Sequence, residues 1–371
     1  MRKQLGILAA ASAAALIGGA FLVGVARAGD DELGADQQNA FVQTNLVSNG
    51  SAVRAKVTDP RVVNSWGMAS VLGGPLWVAN NGGAVATLYT LQNDVPQIQG
   101  LAVKPANPNT WAPTGLVNNP NANQFMFQGD KHTKVSAVFM FASEDGRIVA
   151  WNPNANTDGT LANTVVTTRN AIYKGLAIGT NPDGSFIFAT NFHAGTVEAF
   201  DTSFQPAPKL RLVDRNIPTG FAPFGIANVG GELFVSFAKQ DAKKQDDVAG
   251  AGNGFVDVFT TRGELVRRLV MRGALNSPWG MARAPLGFGK FGGAILIGNF
   301  GDGRINAFDD NGRFLGALRG RNGQPIVIEG LWSLLFGSFT GADPEDLYFT
   351  AGPNDESDGL IGELSLATGR H

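Results

Sequence analysis

The stretches QDAKKQDD (240–247) and AGPNDESDG (351–359) each hold three acidic side chains within a few positions. Carboxylates at that density are the oxygen donors that a hard cation such as Ca2+ takes. They make Asp241, Asp246, Asp247, Asp355, Glu356 and Asp358 the candidate metal ligands. The chemistry implied is that of a lactonase-type hydrolase, in which the cation polarises a carbonyl and a nearby carboxylate moves protons. Neither stretch has EF-hand spacing, so a solvated acidic turn is the competing reading. NPNANTDG (152–159) has a similar rhythm, but its candidate donors are mostly neutral asparagines, and it reads as a turn.

Other reactive groups are sparse. The chain has no cysteine, which removes disulfides, thiolate nucleophiles and zinc-thiolate sites together. Its histidines are His132, His193 and the terminal His371. His193 is the candidate general base, with a structural loop histidine as the alternative. Lys174, Trp66, Phe224, Trp279 and Trp332 stand at matching points of a recurring phrase, clearest in NSWGMA (64–69) and NSPWGMA (276–282). The aromatic rings are read either as a platform for a sugar or as packing between neighbouring units. Asn80, Asn191 and Asn299 recur at the end of a strand. They make either a ring of amide oxygens or a set of turns satisfied by their own side chains.

The elements that must position these residues are repeats. Trp66-Gly67, Thr114-Gly115, Lys174-Gly175, Phe224-Gly225, Trp279-Gly280 and Trp332-Ser333 follow one another at steps of 48, 60, 50, 55 and 53 residues. Each opens an apolar strand, followed by a turn and a second strand such as LWVAN (76–80), FIFAT (186–190) or LYFTA (347–351). A hairpin turn such as EDG (144–146) then leads to a third strand of period two, as in GTVEAFD (195–201) and GRINAFD (303–309). A fourth strand is expected at KLRLVDR (209–215), ELVRRLVM (264–271) and RFLGALR (313–319). These arginine-rich strands read as an anion-binding rim or as charged outer edges. The 49 glycines in 371 residues, about twice the usual ~7%, suit many tight turns.

Four-stranded antiparallel units repeated in this way predict an all-β, six-bladed β-propeller over residues 41–365, with a tail at 366–371. The last repeat ends too close to the terminus to hold its outer strand. FVQTNLVS (41–48) is therefore expected to complete that blade. Loops entering the first strand and loops joining the second and third strands emerge on one face. That face receives the candidate residues above together with Asn64, Asn81, Glu144 and Gln240, while His132 falls on the other.

The segments LWVANNG, YKGLAI, NFHAGTVEAFD, DVAGAGNGFVDVF, NSPWGMA, GNFGDGRINAFD and TAGPNDESDGL resemble an exported bacterial family of propeller proteins with no assigned activity. More loosely, the repeat grammar is similar to NHL-type propellers. The resemblance spans about residues 41–365 and implies the fold, since one fold serves many functions.

The start MRKQ, the apolar run after it and Ala26-Arg27-Ala28 have the layout of a secretory signal peptide, placed at 1–28 and followed by a flexible segment at 29–40. The competing reading is an uncleaved anchor. Removing 1–28 takes three of the 29 basic residues and none of the 31 acidic ones, so the net charge moves from −2 to −5. An acidic chain has no general attraction for nucleic acid or anionic lipid. The expectation is a periplasmic or extracellular monomer that binds a protein, glycan or small molecule through one loop-rich face, with no membrane contact after cleavage. The alternative is a Ca2+-dependent hydrolase working in the channel. A quinone-dependent dehydrogenase ranks last, because Lys174 is the only base where such a cofactor needs several.

Overall fold

The computed structural model describes residues 39–51, 53–130 and 134–367. The expected signal (1–28), most of 29–40, His132 and His371 lie outside the described residues. The regular elements of the described residues are strands, apart from a short 3-10 helix at Gly289–Phe291.

β1 (Phe41–Ser48) and the short β2 (Val57–Thr58) precede the first repeat, which runs β3 (Ser65–Ser70), β4 (Leu76–Asn80), β5 (Val85–Gln92) and β6 (Val95–Pro105). The second holds β7 (Pro113–Asn118), an inserted hairpin of β8 (Met126–Gln128) and β9 (Lys134–Ser136), then β10 (Phe139–Ser143), β11 (Arg147–Trp151) and β12 (Leu161–Thr167). The third is β13 (Tyr173–Asn181), β14 (Gly184–Asn191) and β15 (Thr196–Phe200). The fourth is β16 (Phe221–Val229), β17 (Glu232–Lys239), β18 (Gly254–Thr260) and β19 (Leu265–Met271). Next come β20 (Pro278–Arg283), β21 (Ile295–Asn299), β22 (Ile305–Phe308) and β23 (Phe314–Ala317), and finally β24 (Leu331–Phe336), β25 (Leu347–Ala351) and β26 (Leu360–Leu366). Apart from the inserted hairpin, strands of one repeat pair antiparallel in chain order, and the outer strands β6 and β12 pair in parallel, joining the first two repeats into one eight-stranded sheet.

The inner strands β3, β7, β13, β16, β20 and β24 contact one another in that order, and β24 returns to β3. Together they line a cavity of about 540 Å³. This close approach explains the glycine of the recurring phrase. A Cβ on Gly115 would stand 2.1 Å from the Leu176 backbone nitrogen, and one on Gly225 2.2 Å from the Trp279 carbonyl oxygen. Real Cβ atoms do not come so near, so the spacing between sheets requires glycine. Hydroxyls complete the contact. Thr190 Oγ1 donates to the Phe224 carbonyl at 2.8 Å, Ser236 Oγ to that of Pro278 at 2.6 Å and Thr350 Oγ1 to that of Trp66 at 2.5 Å. Each acceptor sits where a bulge interrupts its inner strand's ladder, so the hydroxyl satisfies a buried carbonyl that the ladder leaves out.

β1 pairs antiparallel with β26 from Phe41↔Leu366 to Ser48↔Leu360, so the start of the described chain becomes the outer strand of the last sheet. Phe41 is buried against Phe288 at 4.7 Å, and Ala367 N–H donates to the Ala40 carbonyl at 2.8 Å.

The fourth strand expected at 209–215 does not form, and the sheet β13–β14–β15 has three strands. The chain begins to pair with β15, as Ala207 N–H donates to the Ala199 carbonyl at 2.8 Å, and then leaves. Pro206 and Pro208 supply no donors to a ladder. Beyond them the next sheet captures the segment: Arg268 bonds Asp214, and Leu212 is buried with Phe237, Phe255 and Phe259. The alternation in KLRLV is real, but it points at a neighbouring sheet rather than along β15.

Candidate functional site

The repeated phrase puts an aromatic residue at the same end of four inner strands, β3, β16, β20 and β24, so the rings meet. Trp66 and Trp332 stack with centroids 3.5 Å apart, Trp279 meets them edge-on at 6.0 and 5.8 Å, and Phe300 stacks on Trp332 at 4.1 Å. Phe224 lies 5.9 Å from Trp332. Trp66 and Trp332 are 2% and 1% exposed. Rings covered by one another offer no free face, which fits the packing reading rather than a sugar platform: they form an aromatic core at one end of the inner cavity. Trp279 belongs both to this core and to the cavity lining.

Lys174 enters this core from the third repeat and is 2% exposed. Its Nζ stands 5.3 Å from the Trp66 ring centroid, and its carbonyl accepts from Trp279 Nε1 at 3.0 Å. The ammonium donates to Glu144 Oε1 at 2.5 Å and to Asp246 Oδ1 at 3.3 Å. Burial works to strip its proton, yet Glu144 and Asp246 outweigh burial and hold the Lys174 pKa above its ordinary value.

Around this ammonium runs a polar chain. Asn81 Nδ2 donates to Glu144 Oε2 at 2.9 Å, Asn64 Nδ2 donates to Glu356, and Asn64 Oδ1 accepts from Trp332 Nε1 at 2.9 Å. Burial raises the Glu356 pKa, an effect that Asn64 and Lys174 reduce and Glu144 and Asp246 reinforce. Burial likewise raises Asp247, against the field of Lys174. Trp66 Nε1 is buried without a hydrogen-bond partner among the described residues, while the Asp247 carboxyl is set beside the Ser277 hydroxyl, which works against burial to lower its pKa. Asn354, Asp355 and Glu356 have φ of 58, 50 and 64°, a run of left-handed backbone that strains a chain of L residues. That turn separates Glu356, half-buried and bonded to Asn64, from the exposed Asp355.

The six acids expected to hold a metal therefore do not act together. Asp246 bonds the Lys174 ammonium, and Asp247 and Glu356 lie within its field. Asp241 closes its own loop by accepting from Gln245 N–H at 2.8 Å, and Asp358 accepts from Ser51 and from Asn49 at 2.9 Å. Among the described residues no group of three or more His, Cys, Asp or Glu side chains is arranged to hold a metal ion.

The asparagines follow the turn reading. Asn80 Nδ2 donates to Val85 and Thr87, Asn191 Oδ1 accepts from Ala194 N–H at 3.1 Å, and Asn299 Nδ2 donates to Ala274 and Asp302. Their amide nitrogens serve local backbone and neighbours, while Asn299 Oδ1 is buried without a hydrogen-bond partner among the described residues. His193 is half-buried in the loop after β14, on the same face as Lys174. Glu144 and Asn64 belong to the site although no motif marks them. The only signal is position, since Glu144 opens the EDG turn between second and third strands and Asn64 precedes the phrase tryptophan.

No protein-family model matches the chain. Uncharacterized protein R648 of Acanthamoeba polyphaga mimivirus is 33% identical over 326 residues, which cover 86% of this chain and 78% of that protein. Uncharacterized protein L690 of the same virus is 32% identical over 326 residues, covering 86% and 84%. These relatives are viral and lend no support to the expected bacterial family. Among solved structures, the GH93 α-L-arabinofuranosidase of Fusarium graminearum superposes with a TM-score of 0.55 at 13% identity, covering 87% of this chain and 97% of that one. The α-L-arabinanase of Penicillium chrysogenum gives 0.53 at 11%, covering 88% and 98%. At such identities the likeness speaks for a β-propeller-like fold and carries no chemistry.

Proposed function

Because the chain belongs to the family of these viral proteins, whose names state no activity, its function has to be read from its own residues. We propose that it is an exported six-bladed β-propeller that binds a glycan or similar polyhydroxylated ligand at the Lys174 end of its channel. One observation carries this reading: Glu144, Lys174, Asp246, Asp247 and Glu356 come from four different repeats and meet around one ammonium. Carboxylates accept from ligand hydroxyls and orient them without a stacking surface, which suits a site whose tryptophans are covered. The buried Trp66 Nε1 carries an unmet desolvation of about 1–3 kcal/mol, which a ligand hydroxyl would relieve. The cyclic contact of the six inner strands supports a six-bladed reading, and the pattern of residues 1–28 supports export.

The test is calorimetric titration of the mature protein with a panel of neutral mono- and oligosaccharides. The expected result is saturable binding of at least one sugar, weakened tenfold or more in Glu144→Gln. A panel without binding, or binding unchanged in that variant, overturns the proposal. Mass analysis of the exported protein tests the cleavage, with Gly29 expected as its first residue.

Hydrolysis is the second reading, favoured by one feature. Burial biases Glu356 towards holding a proton beside carboxylates bonded to a charged lysine, and carboxyls of opposed protonation can act as acid and base. Turnover of a lactone or aryl-glycoside panel, lost in Glu356→Gln, would support it. A shift of the melting point on adding Ca2+ or chelator would identify a calcium-assisted form.

A further inference from the structure

The inner cavity of about 540 Å³ is distinct from the Lys174 site, since none of Glu144, Lys174, Asp246, Asp247 and Glu356 lines it. Apart from the loop residues Gly230 and Ser338, its wall is made by the six inner strands, and no residue of the strands paired with them takes part. Each inner strand is the edge of its sheet, so the cavity lies on the free side of all six edges.

The apolar side chains open to that space recur in every repeat. Met68, Leu116, Leu176, Ile226, Met281 and Leu334 keep 5–8% of their surface exposed. The residue paired with each across the ladder, from Val78 opposite Met68 to Phe349 opposite Leu334, is 0% exposed. What remains open of the six is turned to the cavity they line. Apolar surface facing a space wide enough for water is wetted, and a ligand that displaces the water is held by the hydrophobic effect.

The polar groups of the wall are uncharged or already matched. Arg283, the one ionisable residue of the lining, bonds Asp310 at 2.7 Å and the Gly293 carbonyl at 2.9 Å. Asn228 Nδ2 donates to the Ile178 carbonyl at 2.8 Å, and the hydroxyls of Ser70 and Ser338 bond each other at 2.6 Å. Two side chains of the lining stay open: the Asn118 amide and the Ser333 hydroxyl enter no hydrogen bond among the described residues. Both groups donate and accept, and neither carries charge. A charged ligand in such a wall loses its hydration and gains no counterion.

We propose that this channel binds an uncharged, mainly apolar small molecule whose one or two hydroxyl or amide groups are received by Ser333 and Asn118. The volume of about 540 Å³ suits that occupant, because small-molecule pockets run to about 300–1,000 Å³ and combine an apolar lining with few polar groups. An added strand is a poor occupant, since the inner strands already touch one another in a closed order.

The experiment is fluorescence titration of the mature protein with N-phenyl-1-naphthylamine, a neutral probe that brightens on leaving water. Saturable binding of one probe per chain is expected. Its analogue 1-anilinonaphthalene-8-sulfonate keeps the rings and adds a negative charge, and it is expected to bind at least tenfold more weakly. Ala227→Phe narrows the cavity from a half-buried position of its wall. It is expected to keep the far-ultraviolet circular dichroism spectrum and to weaken the neutral probe tenfold or more. Ile178→Asp, also half-buried, sets an unmatched carboxylate in the wall and is expected to weaken binding as much. It decides the matter if Ala227→Phe fails to fold. No saturable binding of the neutral probe, equally tight binding of the sulfonate, or undiminished binding by a folded variant of either kind overturns the proposal.

Discussion

Lys174 is an ammonium kept charged inside an aromatic core by carboxylates it touches from other repeats. Replacing it with methionine leaves Glu144, Asp246, Asp247 and Glu356 facing one another without a counterion. Breaking a buried pair in this way costs about 3 kcal/mol. Urea denaturation of Lys174→Met is expected to show that loss at pH 8 and a smaller one at pH 5, where protonation relieves the repulsion. Asp346 provides a separate pH signal. Burial first, then Glu363, Asp343, Asp94 and Glu345, push its pKa up to about 7 from 3.8. The folded state therefore keeps a proton that the unfolded chain gives up near pH 4. The stability so gained is full below that pH and is lost as the pH rises through 7. Asp346→Asn is expected to flatten the dependence of melting temperature on pH between 4 and 7 and to raise the value at pH 8 by a few degrees. Residue chemistry was only partly legible in the sequence. Lys174 stood out as the one base in a repeated phrase, whereas Glu144 looked like any turn residue. Asn80, Asn191 and Asn299 recurred because a turn recurs, and repetition alone cannot separate turn chemistry from a ring of ligands.

Elements were more legible, because period-two alternation and turn residues are local properties that survive burial. The pairing of β1 with β26 followed from counting strands, and it makes Phe41 a clasp between distant parts of the chain. Phe41→Ala empties a fully covered site against Phe288 and Phe291 and is expected to cost about 3–5 kcal/mol in urea denaturation. Amides of 41–48 are expected to resist hydrogen exchange as well as those of β26. The segment 209–215 shows the limit of local reading. Alternation says that a segment is extended, but which sheet it joins depended on Arg268, Leu212 and two prolines lying on either side of the choice.

At the scale of the molecule, inner strands in cyclic contact set a spacing that leaves no room for side chains at the phrase glycines. Gly225→Ala pushes a methyl group to 2.2 Å from the Trp279 carbonyl and is expected to destabilise the fold by about 3 kcal/mol, read by urea denaturation. The aromatic core could not be foreseen from spacing, since rings at equivalent positions make a platform or a plug depending on how closely the strands approach. The bond from Ala367 to Ala40 has a consequence of its own. A sheet circuit that closes where residue 367 meets residue 40 has a seam rather than a first blade. Joining residue 367 to residue 40 by a short linker and opening the exposed turn at Asn322-Gly323 would give a permuted chain that traces the same circle from another starting point.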